Sequence, residues 1–308
     1  NLTQIPDFTV DAPIAREMYR LKTGTDVDGV LAIDPVVLSY LLQTTGPVAL
    51  PSGDALSADN AIPLLLNEVY LRYAKPADQD AFFAGAAGAV FQALADGRGS
   101  ASGLISALTR AGEEHRLLAW SAHADEQAII DGTVLAGQLP VTDAHTARFG
   151  VFLNDGTGSK MSYYIDPDVS LAWGSCRPGG QSAPRQLTLQ LTLTSRAPAD
   201  AATALPEYIT GGGYFGTAPG TTEVVGNIYL PQGFDLVSAT ATNGAGFAGG
   251  MHEGRRVLTF GIDLDPGAST GVTVIVRADT PAGDAQAFVT PTADAARSPV
   301  VVATCVAG

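Results

Sequence analysis

One short stretch of the chain, NEVYLRYAKPADQD, holds the charged side chains that are best placed for chemistry: Glu68, Arg72, Asp78 and Asp80. Glu68 and Arg72 stand four positions apart, so they share a face if this stretch is helical. They then form a solvated ion pair worth roughly a few tenths of a kcal/mol. Alternatively, the planar Arg72 guanidinium binds two oxygens of a phosphate, with Asp78 or Asp80 as a metal ligand or base.

Two glycine-rich segments bear a partial likeness to phosphate-binding loops. GGGYFG (211–216) fits G-x-G-x-x-G, but that fingerprint needs a strand before it and a helix after it, and strand-like sequence follows here. NDGTGSK (154–160) has the wrong spacing and strand-like flanks, which predicts a hairpin turn. Lys160, with the adjacent pair Tyr163 and Tyr164, is still a candidate to line a groove at the domain junction.

Other reaction classes lack their sequence signals. The four histidines show no His-x-x-x-His spacing, and no Gly-x-Ser-x-Gly elbow is present. The formal net charge is -14, and none of the 17 Lys and Arg residues forms a run, which argues against nucleic acid as a partner. Anionic membranes would repel such a surface on average.

The chain has two cysteines, Cys176 and Cys305, which leave two possibilities. They are separate reduced thiols, or they form a disulfide that closes the second domain and implies an oxidising, extracytoplasmic site. We favour the disulfide, which on the chain-entropy model would stabilise the folded second domain by roughly 4–5 kcal/mol. The spacing makes a zinc site improbable on chemical grounds.

The longest apolar run, AFFAGAAGAVFQALA (81–95), is shorter than the ~20 residues needed to cross a bilayer and predicts a buried helix. We therefore expect any targeting segment or membrane anchor to lie upstream of Asn1.

The hydrophobic period divides the 308 residues into two predicted domains. Residues 1–145 read as an α/β layer in which VDGVLAID is a strand and Asp34 caps the helix PVVLSYLLQTT, with Pro35 in its first turn. Asp28, near the strand start, is expected to serve a turn. From 146 to 308 the period is two, as in QLTLQLTLTS, which predicts an antiparallel β-sandwich of immunoglobulin-like architecture. The fold class is thus α+β with two domains.

Several strings resemble the actinobacterial family catalogued as domain of unknown function 4012. They are NLTQIPDF, VDGVLAIDPVVLSYLLQTTGPV, RLLAWSAHADEQ, FGVFLNDGTGSKMSYY and LPEYITGGGYFGTAPG. The resemblance implies a surface-exposed envelope protein with an N-terminal membrane anchor, of which this chain is similar to the C-terminal portion.

A more distant similarity concerns GDALSADNAIPLLLNEVYLRY and DQDAFFAGAAGAVFQAL, which resemble the second half of the LytR-CpsA-Psr fold. Those enzymes transfer glycopolymers from polyprenyl pyrophosphate carriers to the cell wall with Mg²⁺. The resemblance implies that Arg72 binds phosphate and that Asp78 and Asp80 are the acidic pair. Where that family has further arginines, this chain has Phe82 and Phe83.

The leading hypothesis is therefore an exported cell-envelope protein that binds, and in the stronger form transfers, a wall glycopolymer or its polyprenyl-linked precursor. The alternative is a non-catalytic surface module that contacts other envelope proteins or its own N-terminal segment. The two differ in where they place Arg72: in an apolar-walled cleft near Asp78 or Asp80, or at the surface paired with Glu68.

Overall fold

The computed structural model describes residues 2–174, 185–278 and 283–304. The architecture is mixed α/β, with several sheets of mostly antiparallel strands. The chain folds into two compact units, 1–139 with 293–295 and 140–292 with 296–308. Cys176 and Cys305 lie outside the described residues, so the disulfide stays a prediction.

The first unit combines helices with two short antiparallel ribbons. One ribbon pairs Gly29–Ile33 with Leu117–Ser121, and the other pairs Val48–Ala49 with Ala55–Leu56. In chain order the elements are α1 (Phe8–Thr23), β1 (Gly29–Ile33), α2 (Pro35–Thr45), β2 (Val48–Ala49), β3 (Ala55–Leu56), α3 (Ala61–Pro63), α4 (Val69–Arg72), α5 (Pro76–Ala95), α6 (Ala101–Glu113), β4 (Leu117–Ser121) and α7 (Ala124–Ile130).

Helix boundaries in this unit follow local capping chemistry. The Asp34 carboxylate accepts a hydrogen bond from the Val37 N–H at 2.9 Å, and Pro35 occupies the first turn of α2, as the sequence predicts. Asn60 stands at the N-cap of α3, which keeps Pro63 in the first turn, where its missing N–H costs nothing. α5 covers the predicted buried helix.

α3 and α4 are joined through a π-helical segment, Leu64–Glu68, so 61–72 is one helical run with a widened middle. Leu64, Leu65 and Val69 point into the core of the unit. Glu68 and Arg72 lie on the outer side. The core packs these leucines against α2 and α5, with Val37, Leu42, Leu56, Phe82 and Val90 among its buried members.

The second unit contains a six-stranded and a four-stranded sheet. The six-stranded order is β10-β11-β8-β5-β13-β14 and the four-stranded order is β6-β7-β12-β9. The strands are β5 (Thr146–Asp155), β6 (Ile165–Trp173), β7 (Arg185–Ser195), β8 (Thr222–Tyr229), β9 (Asp235–Ala241), β10 (Ala248–His252), β11 (Arg255–Leu264), β12 (Ser269–Ala278), β13 (Asp284–Val289) and β14 (Val300–Thr304), with the short helices α8 (Ala201–Ala204) and α9 (Glu207–Thr210) between β7 and β8.

Alternating side chains from both sheets build one hydrophobic core. Along β7, the residues Leu187, Leu189, Leu191 and Leu193 are fully buried, while the polar residues between them face outward. These leucines belong to one cluster with Phe149 and Phe260 of the six-stranded sheet and Val274 of the four-stranded sheet. The period-two pattern of the sequence is therefore confirmed for β7.

The predicted hairpin at NDGTGSK is wrong. β5, which precedes this segment, belongs to the six-stranded sheet, whereas β6, which follows it, belongs to the four-stranded sheet. A 3₁₀ turn at Met161–Tyr164 comes between them, and β6 begins only at Ile165. Because Met161 is fully buried, this turn anchors the chain as it passes from one sheet to the other.

Within the described ranges, no helix has the length and apolar character needed to cross a membrane.

Candidate functional site

Arg72 lies at the surface of the first unit and forms two ion pairs. Its Nη2 is 2.8 Å from Glu68 Oε2, and its Nη1 is 2.8 Å from Asp54 Oδ1. The Arg72 side chain is 41% exposed. The hydrogen bond from Arg72, followed by one from Ser52, holds the pKa of Asp54 below its ordinary value. The guanidinium is thus shared between two carboxylates, of which sequence spacing identified only Glu68.

Asp78 and Asp80 are exposed on the first turns of α5 and form no ion pair with Arg72. They are two positions apart on a helix, so their carboxylates point in different directions. Across the parts of the chain that the structure describes, no group of three or more His, Cys, Asp or Glu side chains could hold a metal ion. The Mg²⁺ that the resemblance implies stays a prediction, because Mg²⁺ is commonly held by only one or two carboxylates together with substrate phosphates.

A buried charge network lies elsewhere in the first unit, around Arg116. Its side chain is 1% exposed; Nη1 is 2.6 Å from Asp34 Oδ2, and Nε is 3.0 Å from Glu114 Oε2. The other oxygen of Glu114 accepts from Arg110 at 2.8 Å, and the Tyr40 hydroxyl donates to Glu114 Oε2 at 2.6 Å. Two arginines and two carboxylates thus neutralise one another at the start of α2 and the end of α6.

Hydrogen bonds and charges within the network keep Glu114 ionised and Tyr40 neutral. Burial raises the pKa of Glu114, but hydrogen bonds from Tyr40 and Arg110 outweigh it, so the pKa lies below the ordinary value. Burial and the bond to Glu114 together raise the pKa of Tyr40. The Nη2 of Arg116 is buried and has no hydrogen-bond partner among the residues that the structure describes. The arrangement resembles a structural ion-pair network more than an open binding site.

Lys160, the remaining predicted site residue, lies in the second unit where the two glycine-rich segments meet. Its backbone N–H donates to the Ile209 carbonyl at 2.9 Å, and its Nζ is 5.8 Å from the centre of the Tyr208 ring. The neighbouring Asp155 accepts hydrogen bonds from Thr157, Ser159 and Ser162, which fixes the NDGTGSK turn.

The GGGYFG segment is a loop between α9 and β8, as its flanks predict. Gly211, Gly212 and Gly213 all have positive φ, a conformation that only glycine adopts without strain. The element that follows the loop is the strand β8, so the loop carries no helix N-terminus for a phosphate. It instead presents Tyr214 and Phe215 at the surface.

A groove in the second unit is lined by the segments around Pro167, Pro291 and Pro299. Arg297 enters it and is 2.8 Å from Asp166 and 3.0 Å from Asp168. Because both carboxylates compensate this arginine, the groove has no excess positive charge for an anion.

Sequence reasoning missed Asp54, Arg116 and the loop aromatics. Asp54 is 18 positions from Arg72, and Arg116 is 82 positions from Asp34, so no local spacing connects either pair. A local signal did exist for Arg110 and Glu114, which stand four apart near the end of a helix. The aromatics Tyr214 and Phe215 were visible inside a segment that was interpreted only as a glycine-rich loop.

Comparison with known proteins supplies a family likeness for one part of the chain. A search of curated proteins returns no match, and a search of solved structures returns none either. Residues 1–70 match the family model described as Protein of unknown function (DUF4012), which supports the family that the sequence strings indicate.

Proposed function

We propose that this chain is part of an extracytoplasmic cell-envelope protein and acts there as a non-catalytic interaction module. In this proposal the first unit is an α/β layer of LytR-CpsA-Psr type that has a structural role. The second unit is an immunoglobulin-like sandwich closed by the Cys176–Cys305 disulfide.

The observation that carries the proposal is the position of Arg72. A phosphate-binding guanidinium needs N–H donors that are open to the ligand. Nη1 and Nη2 of Arg72 each donate one hydrogen bond, to Asp54 and to Glu68, and these two carboxylates compensate the arginine charge that would attract a phosphate. An anionic ligand would have to approach between these two negative charges, which repel it.

A second candidate is a protein that binds a polyprenyl-linked glycopolymer precursor at Arg72. One observation favours it: the π-helical segment Leu64–Glu68 ends one turn before Arg72. Such segments occur frequently at functional sites. In this case the pyrophosphate would displace Asp54 or Glu68 from the guanidinium.

Thermal shift with a polyprenyl pyrophosphate analogue, with and without Mg²⁺, separates the two candidates. A ligand of the folded state must raise the melting temperature. We expect no shift for the parent chain or for Arg72→Ala, because Arg72 is already paired. The matched control is Arg20→Ala, since Arg20 is another exposed arginine, paired with Glu17 on α1.

A rise in melting temperature that is lost in Arg72→Ala and kept in Arg20→Ala would overturn the proposal that the first unit has only a structural role. It would establish the second candidate and justify an assay for glycopolymer transfer. A rise that survives both substitutions would place lipid binding at another site and remove Arg72 from either account.

A further inference from the structure

Three exposed aromatic side chains lie within eight residues of sequence in the second unit. Tyr208 is 40% exposed, Tyr214 77% and Phe215 56%. An aromatic ring that stays in water does not gain the free energy of burial. Three exposed rings in one short segment therefore need an explanation. Tyr208 belongs to α9, and the other two belong to the glycine-rich loop that follows it.

The loop holds these rings in defined positions. The Phe215 ring covers Gly158, where an added Cβ would lie 3.2 Å from the ring, and it also lies against Gly211. Backbone hydrogen bonds join Gly211 to Glu207 at 2.8 Å and Tyr214 to the Gly211 carbonyl at 3.1 Å. Below the loop, Ile209 and Thr210 are buried and anchor it to the unit. Binding would therefore require little ordering of the backbone, which lowers its entropic cost.

Polar groups lie at the edges of the rings. The exposed Glu207 and Tyr214 side chains both lie against Gly212, and a hydrogen bond to the Glu207 carboxylate raises the pKa of the Tyr214 hydroxyl. The Lys160 ammonium lies 5.8 Å from the centre of the Tyr208 ring. One strong acceptor and one strong donor thus flank an apolar surface, and their charges cancel.

The size of this surface argues against a protein partner or a second copy of the chain. With about 150–250 Å² for each fully buried aromatic side chain, the exposed parts of the three rings amount to roughly 350 Å². A stable protein interface needs about 800 Å² on each partner. An anionic bilayer is a poor alternative as well, because a formal charge of -14 repels its headgroups.

The surface fits the chemistry of a sugar ring. A pyranose has an apolar face of C–H groups that packs on an aromatic ring, and hydroxyl groups around its edge that donate and accept hydrogen bonds. A carboxylate accepts from such hydroxyls and an ammonium donates to them, and charge-assisted bonds of this kind are about twice as strong as neutral ones.

We propose that Tyr208, Tyr214 and Phe215, flanked by Glu207 and Lys160, form a platform that binds pyranose rings of a glycan chain. Tyr214 and Phe215 supply the stacking surface. Glu207 orients Tyr214 and accepts hydrogen bonds from the sugar. This inference goes beyond the proposed function, because it assigns a ligand class to the second unit and makes no use of Arg72.

The test measures the binding of defined oligosaccharides to the full chain. Isothermal titration calorimetry and saturation-transfer NMR are the two readouts. The probes are tetramers of β1→4-linked N-acetylglucosamine, of glucose and of galactose, with an arabinofuranose tetramer for comparison. We expect at least one pyranose tetramer to bind and Tyr214→Ala to weaken it about tenfold, as the loss of a stacked aromatic ring predicts. Tyr214→Phe, which keeps the ring, should retain most of the affinity.

The matched control is Phe91→Ala in α5, because Phe91 is 59% exposed, close to the value for Phe215. This substitution should leave the affinity unchanged. The variant Phe215→Ala also loses a contact with Gly158, so the melting temperature of this variant is measured before its affinity. If that melting temperature falls, the result for Tyr214→Ala decides the test.

Three results would overturn the proposal. The first is that no pyranose tetramer gives heat or saturation transfer. The second is equal binding by the parent and a Tyr214→Ala variant whose melting temperature is unchanged. The third is that Tyr214 controls self-association in sedimentation, or binding to phosphatidylcholine vesicles, while no sugar binds. None of these outcomes depends on the Arg72 experiment, so the two proposals fail independently.

Discussion

At the scale of single residues, Arg116 is a charged side chain that is almost fully buried. It is buried between Asp34 and Glu114, and Asp34 also caps α2 with its other oxygen. Removing one partner of a buried pair leaves the other charges uncompensated, which typically costs about 3–5 kcal/mol. We therefore expect Arg116→Ala to lower the free energy of unfolding of the first unit by about that amount, measured by urea denaturation.

The control for this prediction is Arg20→Ala. Arg20 and Glu17 form an exposed pair on α1 at 2.6 Å, and exposed pairs contribute little. A loss below about 1 kcal/mol for Arg116→Ala would show that water or a neighbouring group compensates both carboxylates.

Asp11 makes the folded chain less stable as the pH rises, which is the opposite of the usual effect of a carboxylate. Its Oδ1 is buried with no hydrogen-bond partner in the described part of the chain, and Asp7 lies one turn earlier. Burial, with a smaller effect from the Asp7 charge, raises the pKa of Asp11 to about 6. Between roughly pH 4 and pH 6 the folded state therefore binds more protons than the unfolded state, and stability falls as pH rises.

Asp11→Asn should remove this dependence. Because solvent screens this partly exposed group, we expect the variant to exceed the parent in unfolding free energy by about 1–2 kcal/mol at pH 7, and the difference to approach zero near pH 4. Urea denaturation across this range measures it. A difference that stays constant with pH would instead indicate an effect of helix propensity.

At the scale of elements, the close packing of β8 depends on a glycine. β8 lies between β11 and β5, and a Cβ added at Gly226 would come within 2.1 Å of the buried Phe260 ring. Gly226→Ala must displace that ring, and overpacking of this kind costs about 1–3 kcal/mol. Thermal or urea unfolding of the second unit should show the loss.

Gly250→Ala is the matched control, because Gly250 also lies in a strand of the same sheet. It belongs to the edge strand β10, where an added Cβ meets nothing within 4 Å. Alanine should be neutral or slightly stabilising there, since it restricts the unfolded chain. Equal losses at both positions would mean that backbone conformation, and not the Phe260 contact, sets the cost.

At the scale of the whole molecule, sequence alone predicted what depends on neighbours in the chain. The cap at Asp34 and the alternation along β7 each follow from a few adjacent residues, and the structure confirms them. The pairing of Glu68 with Arg72 was one of two alternatives, and helical spacing brings these two side chains together.

Features that join distant residues were not predictable in this way. The passage of the chain between sheets after β5 depends on burial of Met161, which a hairpin interpretation of NDGTGSK could not anticipate. The ion pair of Arg116 with Asp34 depends on the pairing of β1 with β4. Only the three-dimensional arrangement of strands determines which charges become neighbours.

The parallel pairing of β5 with β13 has a consequence for how the chain folds. Arg148 of β5 and Gln286 of β13 are bonded across 138 positions of sequence. Contacts of such long range raise contact order, and loop closure must precede any gain from them. We expect the second unit to fold slowly and cooperatively, with β5 lacking one of its two neighbouring strands until β13 has been synthesised.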